Sequence, residues 1–438
     1  MHVTPDGSFR EKMNQRHPSW KWLVCGLLLL ATMLNYMDRL TLNTSAKRIM
    51  REFDLDEAQY GRVESAFGLA FAFGGLTFGL LADRVNVRWL YPAAVLLWSA
   101  AGFLTGFVQG FLALLLCRSL LGLAEAGNWP CALRTTQHIL KPHERTLGNS
   151  ILQSGASVGA VVTPLIYLGL LHATGTWRYT FWVVGAIGTL WALAWLVVVR
   201  PRDLAGAAYG PPPADGDGPK GRWQVRRFLA LIVLVVTINA TWHYFRVWLP
   251  LFLQDERGYS EEQMAYFLSA YYVATDLGAL SAGFATVWLV RYGASVHGSR
   301  AAVFLCCALL TSLSVVAATL PAGPLLLGLL LVIGFGALGV FPCYYSLSQE
   351  ITTRHQGKVT GVLGFTCWTS MAVLHAVAGE HVKRTGSYQL GVALAGLAPL
   401  VGFAALWLLW DRGPRPAPDE AEEVAAPAVA EKSGARVS

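Results

Sequence analysis

The stretch "WKWLVCGLLLLATMLNYMDRLTLN", residues 20–43, decides the fold. From Trp22 to Met33 it carries no charge. A helix rises about 1.5 Å per residue, so roughly 20 such residues cross a ~30 Å hydrocarbon core. The stretch then sets Asp38 beside Arg39 before its helical pattern ends. A charge at the bilayer centre costs about 2.5–3.5 kcal/mol on insertion scales, so each of the two needs a partner or a task.

The rest of the chain repeats this pattern. Its 438 residues are 54% hydrophobic and only 14% charged, too apolar for a soluble protein of this length. Spans are expected near residues 20–42, 62–82, 88–109, 111–134, 147–172 and 178–199, then 227–253, 263–290, 300–320, 323–349, 357–380 and 388–410. The expected fold is an all-α integral membrane protein of twelve transmembrane helices, arranged as two pseudo-symmetric six-helix bundles over 20–199 and 227–410. Residues 1–19 form an N-terminal tail. The Pro/Gly-rich segment 200–226 reads as a linker, and 411–438 as a disordered tail.

Lys and Arg crowd the tails, the linker and alternate loops, which by the positive-inside rule places both termini in the cytoplasm of a multi-pass inner-membrane protein. The formal charge of +7 therefore reports orientation in the lipid bilayer rather than nucleic-acid binding. The seven cysteines lie in apolar spans without a C-x-x-C pair and read as buried free thiols. No small-x-small cleavage site precedes "NYMDR", so the first helix is expected to be uncleaved.

"GNWPCA" at 127–132 and "GVFPCY" at 339–344 share Gly, an aromatic, Pro and Cys at equal spacing in spans four and ten. The halves therefore read as repeats, an architecture that builds a substrate site near the midplane between two rocking bundles. Their charges differ, since Glu125 of the first half corresponds to Ala337 of the second.

The interior charges are read as Asp38, Arg39, Arg118, Glu125, Arg246 and Asp276. Tyr36, Arg39 and Asn43 share a helix face, and Asp38 points about 100° away. Arg118 and Glu125 share one face of span four, with Gly122 between them for close helix approach. The expected pairing joins Asp38 to Arg118, with Arg39 reaching toward Glu125. Static ion pairs that only fix packing are the alternative. In span seven Asn239, His243 and Arg246 form a polar stripe, and Asp276 of span eight is either a second proton site or the counterion of Arg246. A metal at His243 and Asp276 lacks further ligands at sensible spacing, so no metal and no cofactor are expected, with protons as the coupling ion.

Between spans two and three stands "GLLADRVNVR", with Gly79, Asp83, Arg84 and Arg88 in a G-x-x-x-D-R-x-x-x-R pattern expected to act as a cytoplasmic gate. This pattern resembles the signature of the major facilitator superfamily. The finer match, carried by "NYMDR", "SAFGLAFAFG", "RSLLGLAEAGNWP", "VWLPLFL" and "ATDLGALSAG", resembles the anion:cation symporters, especially bacterial hexuronate, aldonate and aldarate transporters. The resemblance implies proton-coupled symport of a small organic anion by alternating access. It puts Asp38 and Glu125 at proton-coupling positions, which Arg118 joins as the expected partner of Asp38, and it puts Tyr36 and Arg39 at substrate positions with Gln153 near a further polar contact. Asn239, His243 and Arg246 are the second half's candidates for substrate contact. Two departures, Phe71 for a common Tyr and Trp368 near a common Asn, remove polar contacts.

A proton/drug antiporter is the rival on the same fold, but "SGASVGAVVTP" separates Gly159 from Pro164 where such antiporters join Gly to Pro. A membrane enzyme lacks a visible nucleophile with its base, and a non-transporting sensor stays open. A monomer carrying a monocarboxylic sugar acid is expected, on the premise that Asp276 already neutralises Arg246.

Overall fold

The computed structural model describes residues 19–140, 144–204, 222–351 and 356–410. Among them, twelve helices are long and apolar enough to cross a membrane, and no strand occurs. They are α1 Trp20–Glu52, α2 Glu57–Ala82, α3 Val87–Thr105, α4 Phe111–Ile139, α5 Gly148–Thr174, α6 Arg178–Val198, α7 Val225–Glu256, α8 Glu261–Arg291, α9 Val296–Ala317, α10 Pro324–Ser348, α11 Gly361–Thr385 and α12 Gln389–Leu409. The expected tails 1–18 and 411–438, and linker residues 205–221, lie outside the described residues.

Local chemistry sets the boundaries. Asp56 accepts from the N–H of Gln59 at 2.7 Å while Gln59 accepts from the N–H of Asp56, so a capping box starts α2. Ser260 and Gln263 do the same for α8. The repeated motifs mark matching breaks. α4 divides into Phe111–Glu125 and Asn128–Ile139, and α10 into Pro324–Gly339 and a second piece that starts at Phe341 and runs on past the span to Ile351, each just ahead of Pro130 or Pro342. Proline lacks an N–H and clashes with the carbonyl four residues earlier, so the two copies break at the same place for the same reason.

Glycine sets how closely the helices approach. A Cβ at Gly155 or Gly159 of α5 would strike the backbone of α1 at Leu29 or Met33, and one at Gly122 of α4 would strike the carbonyl of Phe67 in α2. The expectation for Gly122 holds, with α2 as the neighbour. Large apolar side chains such as Leu190, Val197 and Trp407 point outward, which suits a lipid surround.

Two faces differ. The near face holds the start of α1 and the end of α12, where Trp20 donates to the carbonyl of Val198 at 3.0 Å. The far face holds the turns after α1, α3, α5, α7, α9 and α11. There the first six helices and the last six meet tightly. A Cβ at Gly61 of α2 would strike the carbonyl of His375 in α11, and one at Gly379 would strike that of Glu57. Lys383 pairs with Asp56 at 2.9 Å, Lys47 with Asp255 at 2.5 Å, and Arg48 with Glu261 at 2.6 Å. Deeper in, Ser269 of α8 donates to the carbonyl of Val161 in α5 at 2.9 Å, and Ser157 to Asp276 at 2.9 Å. Toward the near face the antiparallel run of α2 on α11 passes Phe73 against Phe365, with ring centroids 5.6 Å apart, and then parts. A Cβ at Gly75, Gly79, Gly361 or Gly364 would meet nothing within 4 Å. The seam between the two sets of helices is shut at the far face and open toward the near one.

Candidate functional site

At the inner end of this opening Arg39 of α1 reaches α4. Its Nε donates to Oε2 of Glu125 at 2.6 Å, and one terminal nitrogen donates to Oδ1 of Asn35 at 2.7 Å. Asn35 in turn donates to the backbone carbonyl of Glu125 at 3.3 Å. All three are buried, and Oε1 of Glu125 has no hydrogen-bond partner. The rings of Phe71, Tyr36, Trp368 and Phe67 stand 4.7, 5.4, 5.4 and 5.5 Å from the guanidinium. Arg39 thus sits in an aromatic box that excludes water from the ion pair and strengthens it. Trp368 belongs to α11 and closes the box from the other half, its ring centroid 4.2 Å from that of Phe71 with the planes tilted by 33°. The two departures from the resemblance therefore face each other across the seam.

Asp38 points elsewhere, as the helical angle requires. Its Oδ1 lies against Gly102 of α3, where a Cβ would come within 2.7 Å, and that oxygen has no hydrogen-bond partner. The expected pair with Arg118 does not form. Arg118 donates instead to Oε1 of Glu64 at 3.0 Å. The reason is direction, because Asp38 projects toward α3 while Arg118 projects toward α2.

The stripe on α7 faces the seam but not as one surface. Asn239 donates to the carbonyl of Val235 in its own helix at 2.8 Å. His243 packs against Trp368 with ring centroids 4.7 Å apart, and its Nδ1 has no partner. Arg246 stands 3.5 Å from Oε2 of Glu64, not beside Asp276, which accepts from Ser157 instead. Gln153 of α5 is exposed. It lies one turn nearer the near face than Ser157 on the same side of the helix, so it faces the region where α5 and α8 separate.

The loop motif divides as well. Gly79 borders open space and Arg84 is exposed. The side chain of Asp83 lies outside the described residues. Arg88 is buried and donates to the carbonyls of Val199 at 2.8 Å and Leu196 at 3.4 Å, so it caps the end of α6 and ties α3 to it.

The sequence description of the Major Facilitator Superfamily matches residues 28–376. The chain belongs to that superfamily. The D-galactonate transporter of Escherichia coli O6:H1 is 27% identical over 89% of this major facilitator chain and 96% of its own length. The hexuronate transporter of E. coli K12 is 23% identical over 90% and 95%. The probable galactarate/D-glucarate transporter of the same strain is 26% identical over 92% and 95%. Among solved structures, a bacterial homologue of the human lysosomal transporter Spinster aligns with TM-score 0.67 at 19% identity, covering 90% of this chain and 95% of its own. A POT family transporter aligns with TM-score 0.71 at 13% identity over 88% and 96%. These two carry the fold only. The protein is a multi-pass membrane protein whose relatives are transporters, not enzymes.

One residue of this major facilitator chain that carries chemistry was not among the sequence candidates. Glu64 is fully buried, meets both Arg118 and Arg246, and accepts from Asn43 at 3.2 Å. Sequence reading ends span one near 42 and starts span two at 62, which puts Glu64 at a membrane surface. Helix α1 runs on to Glu52 and α2 starts at Glu57, so Glu64 lies two turns inside. The available signal was the capping box at Asp56–Gln59, which dates the helix start correctly.

Proposed function

We propose that this chain is a proton-coupled symporter that takes up a small organic anion, a monocarboxylic sugar acid such as a hexuronate or aldonate. The halves 20–199 and 227–410 act as two bundles, in a monomer with both termini cytoplasmic. The far face is then the outer one. The observation that carries the reading is the Arg39–Glu125 contact at 2.6 Å, at the inner end of the open cleft. A guanidinium can grip a carboxylate with two parallel hydrogen bonds. While Glu125 is ionised it occupies Arg39, and when protonated it leaves Arg39 to a substrate carboxylate. Asp38, one position along and close to both, is the second proton site, with Arg118 holding the surrounding charge balance. Tyr36, Gln153, Asn239 and His243 offer contacts to hydroxyl groups around the anion. Gly79, Asp83, Arg84 and Arg88 form the hinge of the cytoplasmic gate.

The printed names of the relatives support the substrate class, since they include D-galactonate, hexuronate and galactarate/D-glucarate transporters. The test is uptake of radiolabelled D-galactonate and D-glucuronate into proteoliposomes with an imposed inward proton gradient. Accumulation that a protonophore abolishes is expected. Accumulation driven by an outward proton gradient instead would make the protein an antiporter.

A further inference from the structure

The side chain of Glu64 is 0% exposed and stands where both halves meet. Arg118 of α4 donates to its Oε1 at 3.0 Å, and Asn43 of α1, itself held 3.0 Å from the Tyr60 hydroxyl, donates to the same oxygen at 3.2 Å. Arg246 of α7 approaches the other oxygen, Oε2, at 3.5 Å, an ion-pair distance without a hydrogen bond. That oxygen accepts no hydrogen bond, and neither Nε of Arg246 nor Nε and one terminal nitrogen of Arg118 donates one. One carboxylate is therefore shared between two buried guanidinium groups. The first is fixed within the same half by a direct hydrogen bond, whereas the second, from the other half, is held by charge alone.

This asymmetry has a mechanical consequence. Separation of α2 from α11 at the far face carries α7 away with its own half, and the Glu64–Arg246 contact is the one that breaks. Arg246 is then a buried cation that has lost its anion and faces the newly opened side. Removing one member of a buried pair is far more costly than removing both, so the vacated guanidinium favours any carboxylate that arrives. Glu64 is thus already in the position a ligand carboxylate would take.

We infer that Glu64 is a built-in second carboxylate: it clasps the far face shut by occupying Arg246, and it makes the site selective for anions with one carboxylate. Arg39 and Arg246 stand in opposite halves, and an anion with two carboxylates would bridge them if Glu64 were absent. With Glu64 present, Arg39 alone receives substrate carboxylate in the closed state. The selectivity rests on the proposed transport of organic anions, whereas the clasp does not.

Hydrogen–deuterium exchange of the full chain in nanodiscs tests the clasp without any anion. Glu64→Gln and Arg246→Gln should each raise exchange severalfold in the far halves of α2 and α11, and the double variant should do no more than either single. Glu64→Asp keeps the charge and should retain most of the protection. Unchanged exchange in both single variants, additive effects in the double, or equal loss in Glu64→Asp and Glu64→Gln would overturn the clasp. Selectivity is read in the Glu64→Gln protein by adding D-galactarate or D-galactonate as dicarboxylate and monocarboxylate probes. Galactarate should restore protection at concentrations about tenfold below those of galactonate, which in the wild type should bind more tightly than galactarate. Equal potency of the two in Glu64→Gln, or no effect of either, overturns the stand-in role. Failure of the transport reading appears separately, as wild-type vesicles that do not accumulate galactonate.

Discussion

Nε of Arg39 donates to Oε2 of Glu125 at 2.6 Å, and Asn35 ties both residues together by bonding the Arg39 guanidinium and the Glu125 backbone. A buried guanidinium held by one hydrogen bond to the acid, with the second acid oxygen unpartnered, can exchange that acid for another carboxylate at modest cost.

Glu125→Gln mimics the neutral acid. It should keep substrate binding and exchange while lowering accumulation driven by a proton gradient at least tenfold. Normal concentrative uptake by Glu125→Gln vesicles removes Glu125 from coupling.

Arg39→Lys retains charge but loses the planar fork and the stacking against Phe71. Anion affinity should fall about tenfold or more, or ~1.4 kcal/mol. Equilibrium binding of D-galactonate checks this, and an unchanged Kd would place the carboxylate away from Arg39.

Asp38 forms no ion pair and lies against Gly102. Asp38→Asn should therefore abolish coupled uptake with little loss of thermal stability. Adding Arg118→Gln should not restore coupling and should destabilise by about 3–5 kcal/mol, because it strips Glu64 of the one cation that hydrogen-bonds to it. Rescue by the second substitution would show that Asp38 serves only as a counterion.

Gly61→Val puts side-chain atoms onto the carbonyl of His375 and opposes closure of the far face. Membrane insertion should be retained and transport lost. Exchange labelling should show the far halves of α2 and α11 open, whereas wild-type transport in this variant would contradict the close packing at that turn.

Burial pushes the Asp56 carboxyl up, but the hydrogen bond from Lys383 and the N–H of Gln59 more than offset it and hold the group below the usual carboxylate range. A depressed value in the fold means stability that is present above the ordinary carboxylate pKa of about 4 and lost as pH falls through the lower, folded value. Both partners are partly exposed, so the contribution is at most about 1 kcal/mol. Asp56→Asn retains an acceptor for the Gln59 N–H and should lower Tm slightly at pH 7, with the difference vanishing in acid. An equal difference at both pH values would assign the effect to the cap.

Sequence alone determined that twelve helices cross a membrane, because span length and hydropathy answer to the bilayer thickness and not to neighbouring helices. It also determined the repeat, because "GNWPCA" and "GVFPCY" set Gly, an aromatic, Pro and Cys at equal spacing, and α4 and α10 divide at those two motifs. The reach of Arg39 toward Glu125 was legible from helix periodicity and depth together, since Asp38 and Arg39 point about 100° apart and must find different partners. Only the tertiary structure decided which acid serves Arg118 and Arg246. Asp38 and Asp276 are both in the sequence at plausible depth, yet Glu64 takes both arginines. Pairing between buried charges depends on the rotation of each helix about its axis and on a register of a few ångströms between helices. Both are set by where Gly61, Gly122 and Gly155 let backbones touch, and no single helix carries that information in its own pattern.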